Sequence, residues 1–402
     1  MQKVVVVGAG QAGASCVARL RSKGFDGSIT LIGEEPVPPY QRPPLSKAYL
    51  LGEMEQERLY LRPESFYAEN GIDLRVNDTV SAIDRGDRAV IAGGHRIDYD
   101  HLVLATGSVP RRLPPAVGGL LDGVHVVRTL LDVDEMAPRF VAGARVLIVG
   151  GGYIGLEAAA VASKLGLEVT LVEMAPRILQ RVAAEQTSDF FRAEHQRHNV
   201  TVLEGVGLTR LTGEDKVTGA ELSDGTTLAL DFVIVGVGIT PAAELAEAAG
   251  LDIDNGIKVD DHGRTSDPAI WAAGDCASFP HDGAQMRLES VGNAIDMGEL
   301  VADNILGADR AYVPKPWFWS DQYDVKLQIA GLSTGFDSVV TRRDGAASVS
   351  FWYYRGDRLI ALDAMNDPRA YMVGKRLIEA GKSPDPAAVA DPETDLKVLL
   401  KA

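Results

Sequence analysis

Cysteine is scarce in this chain: Cys16 and Cys276 are the only two among 402 residues. They form no C-x-x-C or C-x-x-x-x-C pair and supply no disulfide framework, so a reducing compartment fits and a cytoplasmic location is expected. Cys16 falls in a predicted helix and reads as a small buried residue. Long apolar runs are also missing. None approaches the roughly 20 residues of a membrane span, so no membrane partner is expected. The first apolar run stops at Gly8 without a cleavage-site pattern and reads as a strand rather than a signal peptide. Cations are in deficit, with 40 Lys and Arg against 56 Asp and Glu and a net charge of −16. That balance argues against a nucleic-acid partner, while leaving room for a local basic docking patch. What is present is globular: 46% hydrophobic and 24% charged residues, in a chain too long for one ordinary core. Two or three domains are expected.

The chain is organised around its beginning. Val4-Val5-Val6-Val7 reads as a buried strand, followed by Gly8-Ala9-Gly10-Gln11-Ala12-Gly13 and a predicted helix over 14–24. In this G-x-G-x-x-G spacing Gly8 permits the tight turn, Gly10 lets backbone approach a phosphate, and Gly13 lets the helix pack on the strand. The helix N-terminus then offers free N–H groups and a positive dipole end to a pyrophosphate. A second strand over 28–32 leads to Glu34 and Glu35, placed to hold a ribose hydroxyl.

The pattern recurs. Arg145-Val146-Leu147-Ile148-Val149 leads into Gly150-Gly151-Gly152-Tyr153-Ile154-Gly155, a predicted helix over 156–165, and a strand over 168–172 ending in Glu173. Gly150, Gly152 and Gly155 repeat the fingerprint, and Glu173 stands close to the ~20-residue spacing expected of its acid. Two such units are far more specific than one. A carboxylate at Glu173 accepts ribose hydroxyls and repels a 2′-phosphate, which favours NADH over NADPH.

Between and after these units lie other signals. The proline-rich stretch 36–47 predicts a stiff loop, with Lys47 opening a helical segment. Strands are expected near 73–76, 89–91 and 101–104, the last running into Ala105-Thr106-Gly107. Phe232-Val233-Ile234-Val235 marks the return from the second unit. Gly274-Asp275 ends a short apolar strand, where Asp275 can reach a ribityl hydroxyl or cap a helix. Residues 317–323 precede a strand over 325–329. Two alternating segments flanking Arg355-Gly356-Asp357 read as a hairpin, and Asp367-Pro368 starts a helix that Gly381 ends.

The runs Arg42-Pro43-Pro44-Leu45-Ser46-Lys47, Gly150 to Glu157, Gly274-Asp275-Cys276, Glu289-Ser290-Val291 and Trp317-Phe318-Trp319-Ser320-Asp321-Gln322 carry a resemblance over nearly the whole chain. It resembles the NADH-dependent ferredoxin reductases of bacterial cytochrome P450 and ring-hydroxylating dioxygenase systems, the putidaredoxin reductase type. The resemblance implies an α/β fold with two Rossmann-like dinucleotide-binding domains, as in glutathione-reductase-like flavoproteins, plus a C-terminal α+β domain. FAD would take 1–109 with 242–316, NADH would take 110–241, and 317–402 would form the third domain. Non-covalent FAD is the implied cofactor, NADH the substrate and a [2Fe-2S] ferredoxin the partner.

Residue by residue, the resemblance implies FAD contacts at Ala12, Glu34, Lys47, Val80, Arg128, Asp275 and Val291. Lys47 and Glu157 would sit as a charged pair by the flavin ring, Tyr153 near the stacked nicotinamide and Trp319 near the flavin edge. No residue is assigned to a metal. Gly33 occupies the position that Glu173 holds in the second unit, so Glu34 rests on the resemblance rather than on local spacing. Arg62, Lys326 and Arg287 are candidates for a basic docking rim, with Glu299 standing where relatives can carry a basic residue. Cysteine-based relatives need a thiol where this chain has Pro43, Pro44 and Ser46, which disfavours disulfide chemistry. The alternatives are a rubredoxin reductase, an NADH oxidase, or a flavoprotein with a binding or signalling role, as in relatives of apoptosis-inducing factor.

Overall fold

The structure is a computed structural model that describes residues 2–345 and 348–401. Its contacts divide into two units: Met1–Arg42, Glu55–Val109 and Ile239–Pro316 in the first, and Pro43–Met54, Pro110–Gly238 and Trp317–Ala402 in the second.

The first unit is built on a parallel five-stranded sheet in the spatial order Ile270–Ala272, His101–Leu104, Lys3–Val7, Ser28–Ile32, Ile72–Arg75. Val4, Val5, Val6 and Val7 are all buried, as a parallel strand covered on both faces requires. Each contributes on the order of 1.5–3 kcal/mol by leaving water. The helices Gln11–Ser22 and Val291–Ile305 pack on one another through glycine. A Cβ on Gly298 would lie 2.4 Å from the Ala12 carbonyl oxygen. Arg19 pins the pair by a fork to Asp303 at 2.8 and 2.8 Å and also meets Glu299 at 3.5 Å.

The second unit repeats the arrangement. Its parallel sheet runs Thr201–Glu204, Glu168–Glu173, Arg145–Val149, Phe232–Val235, Val124–His125. The same unit carries a five-stranded antiparallel sheet in the order Trp317–Gln322, Val325–Gly331, Arg358–Met365, Val349–Arg355, Ser338–Arg343. Asp367 caps the helix Pro368–Glu379 by accepting the Ala370 N–H at 2.9 Å, with Pro368 at its first position.

Several expectations shift. The two fingerprint helices begin at Gln11 and Tyr153, three residues earlier than glycine-poor helix signals suggest. Pro43–Ser46 forms a 3₁₀ turn, and Lys47 continues into turns rather than opening a helix. Trp317–Gln322 is itself a strand. No helix follows Asp275, so its helix-cap alternative falls away. Among the described residues no helix is long and apolar enough to cross a membrane.

Candidate functional site

Both glycine loops have the same geometry. In each sheet the first strand lies between its second strand and the one entered by a later crossover, the switch point where open α/β sheets bind ligands. Gly8 has φ +112° and Gly150 φ +110°. A Cβ on Gly8 would come within 2.1 Å of the Ala105 carbonyl oxygen, and one on Gly150 within 2.4 Å of the Gly236 carbonyl oxygen. Gly13 and Gly155 press on the carbonyls of Gly8 and Gly150, with 2.0 and 2.1 Å left for a Cβ. Gly10 and Gly152 differ from these. Among the described residues nothing lies within 4 Å of a Cβ at either position. The middle glycine is therefore not dictated by protein packing, and the open space beside it fits a phosphate approaching the helix N-terminus.

The missing acid of the first unit has a steric cause. A Cβ at Gly33 would lie 2.5 Å from the Ala9 Cβ, whereas a Cβ at Gly151 would meet Ile178 Cγ2 at 2.6 Å and the Glu173 Cβ at 3.2 Å. In the first unit the close approach of Ala9 calls for glycine at position 33, so no acid stands there. Glu173 then accepts the Gly151 N–H and the Ala175 N–H, each at 2.7 Å. It thereby shapes its own glycine loop. In the first unit Glu34 is exposed, while Glu35 is committed to the Tyr40 hydroxyl and to Arg42, both at 2.6 Å.

Elsewhere in the first unit, Ala12 is buried in the first turn of its helix, and Val80 is half-buried at the start of the strand Val80–Asp84. Ser108 Oγ donates to Asp275 Oδ2 at 2.9 Å, which orients the carboxylate that follows Gly274. Val291 opens a helix whose Ser290 cap accepts the Asn293 N–H at 3.2 Å. Arg287 is no rim residue: its side chain is 10% exposed and donates to the Asp275 carbonyl at 2.8 Å and to Glu289 at 2.7 Å. Arg62 lies over the Phe66 ring. Cys16 and Cys276 are buried free thiols, and burial pushes Cys16 up to about 12. Neither is a redox pair.

In the second unit, Lys47 Nζ meets Glu157 Oε2 at 2.6 Å and the Pro43 carbonyl at 3.2 Å. Glu157 also accepts Ser46 Oγ on Oε2 and Ser320 Oγ on Oε1, both at 2.6 Å. Its carboxylate is thus 4% exposed yet fully supplied with donors. Tyr153, on the same helix, packs against Phe318 with ring centres 4.9 Å apart. Burial, with the charges of Asp363 and Glu157 nearby, raises the Tyr153 phenol well above its ordinary range, so it stays protonated. Arg128 donates its backbone N–H to Asp132, the acid of the Thr129 capping box. Trp319 points to the other face of its strand, stacked on Trp317, and lines a surface recess with Asp321, Lys326 and Gln328.

Sequence reasoning missed Ser46, Ser320, Gln322 and His195. The first three lie inside motifs it quoted. His195 continues the buried stripe Thr187, Phe191, His195 and looks like any core position.

The Pyridine nucleotide-disulphide oxidoreductase family model matches residues 2–298, and the Reductase C-terminal model matches 317–400. A ferredoxin–NAD(P)(+) reductase from a Sphingomonas species is 44% identical over 401 residues, covering 98% of this chain and 96% of the relative. Putidaredoxin reductase from Pseudomonas putida is 41% identical over 408 residues, covering 99% and 97%. Among solved structures, the covalent putidaredoxin reductase–putidaredoxin complex is similar with a TM-score of 0.96 and 40% identity, covering 100% of this chain and 98% of that one.

Proposed function

The chain belongs to the pyridine nucleotide-disulphide oxidoreductase family, and on that premise we propose that it is an FAD-dependent NADH:ferredoxin oxidoreductase. It takes hydride from NADH and passes single electrons to a [2Fe-2S] ferredoxin that feeds a cytochrome P450 or ring-hydroxylating oxygenase. The observation that carries this reading is the pair of matched glycine loops, each with open space only at its middle glycine. FAD, when bound, accepts two electrons as hydride and releases them one at a time.

Gly8, Gly10, Gly13, Ala12, Glu34, Val80, Asp275 and Val291 hold FAD in the first unit, and the family resemblance gives Lys47 and Arg128 an FAD-contact role as well. Gly150, Gly152, Gly155 and Glu173 hold NADH. Tyr153 orients the nicotinamide with a phenol that carries its proton. Lys47 supplies a fixed positive charge to the reduced cofactor, held by Glu157. Trp319 serves the electron exit. The functional division is 1–109 with 242–316 for FAD, 110–241 for NADH and 317–402 for the third domain. With both thiols buried, no disulfide step intervenes, and a cytoplasmic location suits them.

The test is direct. Purified protein carries one dissociable FAD, and NADH bleaches it without air. Adding an oxidised [2Fe-2S] ferredoxin restores the yellow colour. A protein that holds no flavin, or a flavin that NADH leaves oxidised, overturns the reading.

A further inference from the structure

The strand Trp317–Gln322 alternates in what it meets. Trp317, Trp319 and Asp321 share one face; Phe318, Ser320 and Gln322 share the other. Each residue of the second set meets one side chain of the dinucleotide-fold part of its own unit. Phe318 packs on Tyr153, Ser320 Oγ lies 2.6 Å from Glu157 Oε1, and Gln322 Oε1 lies 2.8 Å from His195 Nε2. Two more links complete a chain. Gln322 Nε2 donates to Ser320 Oγ at 3.1 Å, and the Tyr323 hydroxyl is 3.0 Å from His195 Nδ1.

The direction of every proton follows from one end. Glu157, in its salt bridge with Lys47, accepts from Lys47, Ser46 and Ser320. Ser320 must therefore give its single proton to Glu157, and its oxygen accepts from the Gln322 amide. That fixes the Gln322 oxygen towards His195, so His195 Nε2 donates. Burial holds His195 down near about 4, so its ring is neutral and Nδ1 is bare. Tyr323 then donates to it. Aligned donors of this kind polarise one another in a low-dielectric interior. An amide is a poor proton carrier, so the chain acts by orientation and field rather than by proton flow.

We propose that Ser320, Gln322 and His195 are positioning residues: a one-directional hydrogen-bond chain that holds the Glu157 carboxylate against Lys47 and ties it to the tautomer of a buried histidine. The inference rests on the reading that the Lys47–Glu157 pair serves hydride transfer. The groups facing Glu157 are Lys47 and Ser46 from the 43–54 segment, Ser320 from the strand and Tyr153 from its own helix. Facing His195 are Gln322 and Tyr323, with Glu194 and His198 on its own helix.

The experiment uses ¹⁵N-histidine-labelled holoenzyme, with His195 assigned by its loss in His195→Asn. Wild type should show one Nε2–H tautomer that does not titrate between about pH 5 and 8. Glu157→Gln lets the side chain at 157 donate to Ser320, which releases the direction of the chain, and Ser320→Ala cuts it. Both should move the His195 signals, although neither residue touches that ring. In anaerobic mixing with NADH, Ser320→Ala should reduce its flavin about tenfold more slowly with NADH affinity within about twofold, and its pH profile should shift; Ser320→Thr should restore both. Gln322→Leu provides a second cut if Ser320→Ala folds poorly. His195 signals identical in all variants, or a Ser320→Ala rate and pH profile equal to wild type, overturn the inference. A wild-type flavin that NADH does not bleach overturns the functional reading instead, and the histidine signals then still judge the chain.

Discussion

Lys47 Nζ lies 2.6 Å from Glu157 Oε2, with the two residues 110 positions apart in the sequence and their side chains 15% and 4% exposed. A buried pair of this kind adds little net stability, because desolvation offsets much of the attraction. Breaking one side is different, since it leaves an uncompensated charge. Lys47→Met should lower the flavin midpoint potential, slow reduction by NADH, and destabilise the protein by about 3–5 kcal/mol. Lys47→Met combined with Glu157→Gln should recover much of the stability but not the rate. Denaturant titration and stopped-flow absorbance separate the two effects. Unchanged reduction kinetics in the single variant would make Lys47 a structural lysine.

The glycines of one loop should fail in different ways. Gly10→Val should fold like the wild-type apoprotein and lose FAD, because a Cβ there meets no atom of the described residues but fills the phosphate space. Gly8→Ala should damage the fold itself, with φ +112° and the Ala105 carbonyl oxygen 2.1 Å from the new Cβ. Flavin content and circular dichroism measured together test this. Full FAD retention by a well-folded Gly10→Val protein contradicts the loop assignment.

Glu173→Ala should narrow the preference for NADH over NADPH, mainly by weakening NADH. The carboxylate repels a 2′-phosphate, but it also accepts the Gly151 and Ala175 N–H groups that shape the loop. Losing it leaves both donors unanswered. A tenfold loss of discrimination corresponds to about 1.4 kcal/mol. Dissociation constants for both nucleotides read it out, and a wild-type preference for NADPH contradicts the role given to Glu173.

Asp363 sets a pH dependence of stability. Burial raises it to about 6, against the downward pull of hydrogen bonds from Tyr353 and Thr187. A carboxyl raised on folding binds more protons folded than unfolded between its ordinary 3.8 and about 6. Its contribution is full below that window and is lost as pH rises through it. Asp363→Asn stays neutral throughout, so its melting temperature should gain on wild type from about pH 4 to about 6.5. A difference independent of pH contradicts the assignment.

Much of this architecture was readable from residue order alone. A run of four apolar residues before a glycine triplet, Val4 to Val7 and again Val146 to Val149, marks strand, turn and helix. The displaced acid at Gly33 was visible, but its cause, the contact with Ala9, needed coordinates. Trp317–Gln322 hid as a strand because its buried face carries Ser320 and Gln322, which are polar and defeat hydrophobic alternation. His195 gave no local signal, since its partner is 127 residues away. Arg287 looked like a surface cation until its side chain was found folded onto Asp275.

Electron delivery from NADH to a ferredoxin is what the proposed function requires. The deciding measurement is NADH-driven reduction of cytochrome c, with and without a [2Fe-2S] ferredoxin. The rate should be slow with enzyme alone and rise strongly and saturably with ferredoxin, while NADH bleaches the flavin rapidly in a separate mixing experiment. Equal rates without ferredoxin would contradict the proposed function and point to an oxidase or a reductase of small acceptors. Flavin bleaching far slower than any catalytic turnover would point to a binding role.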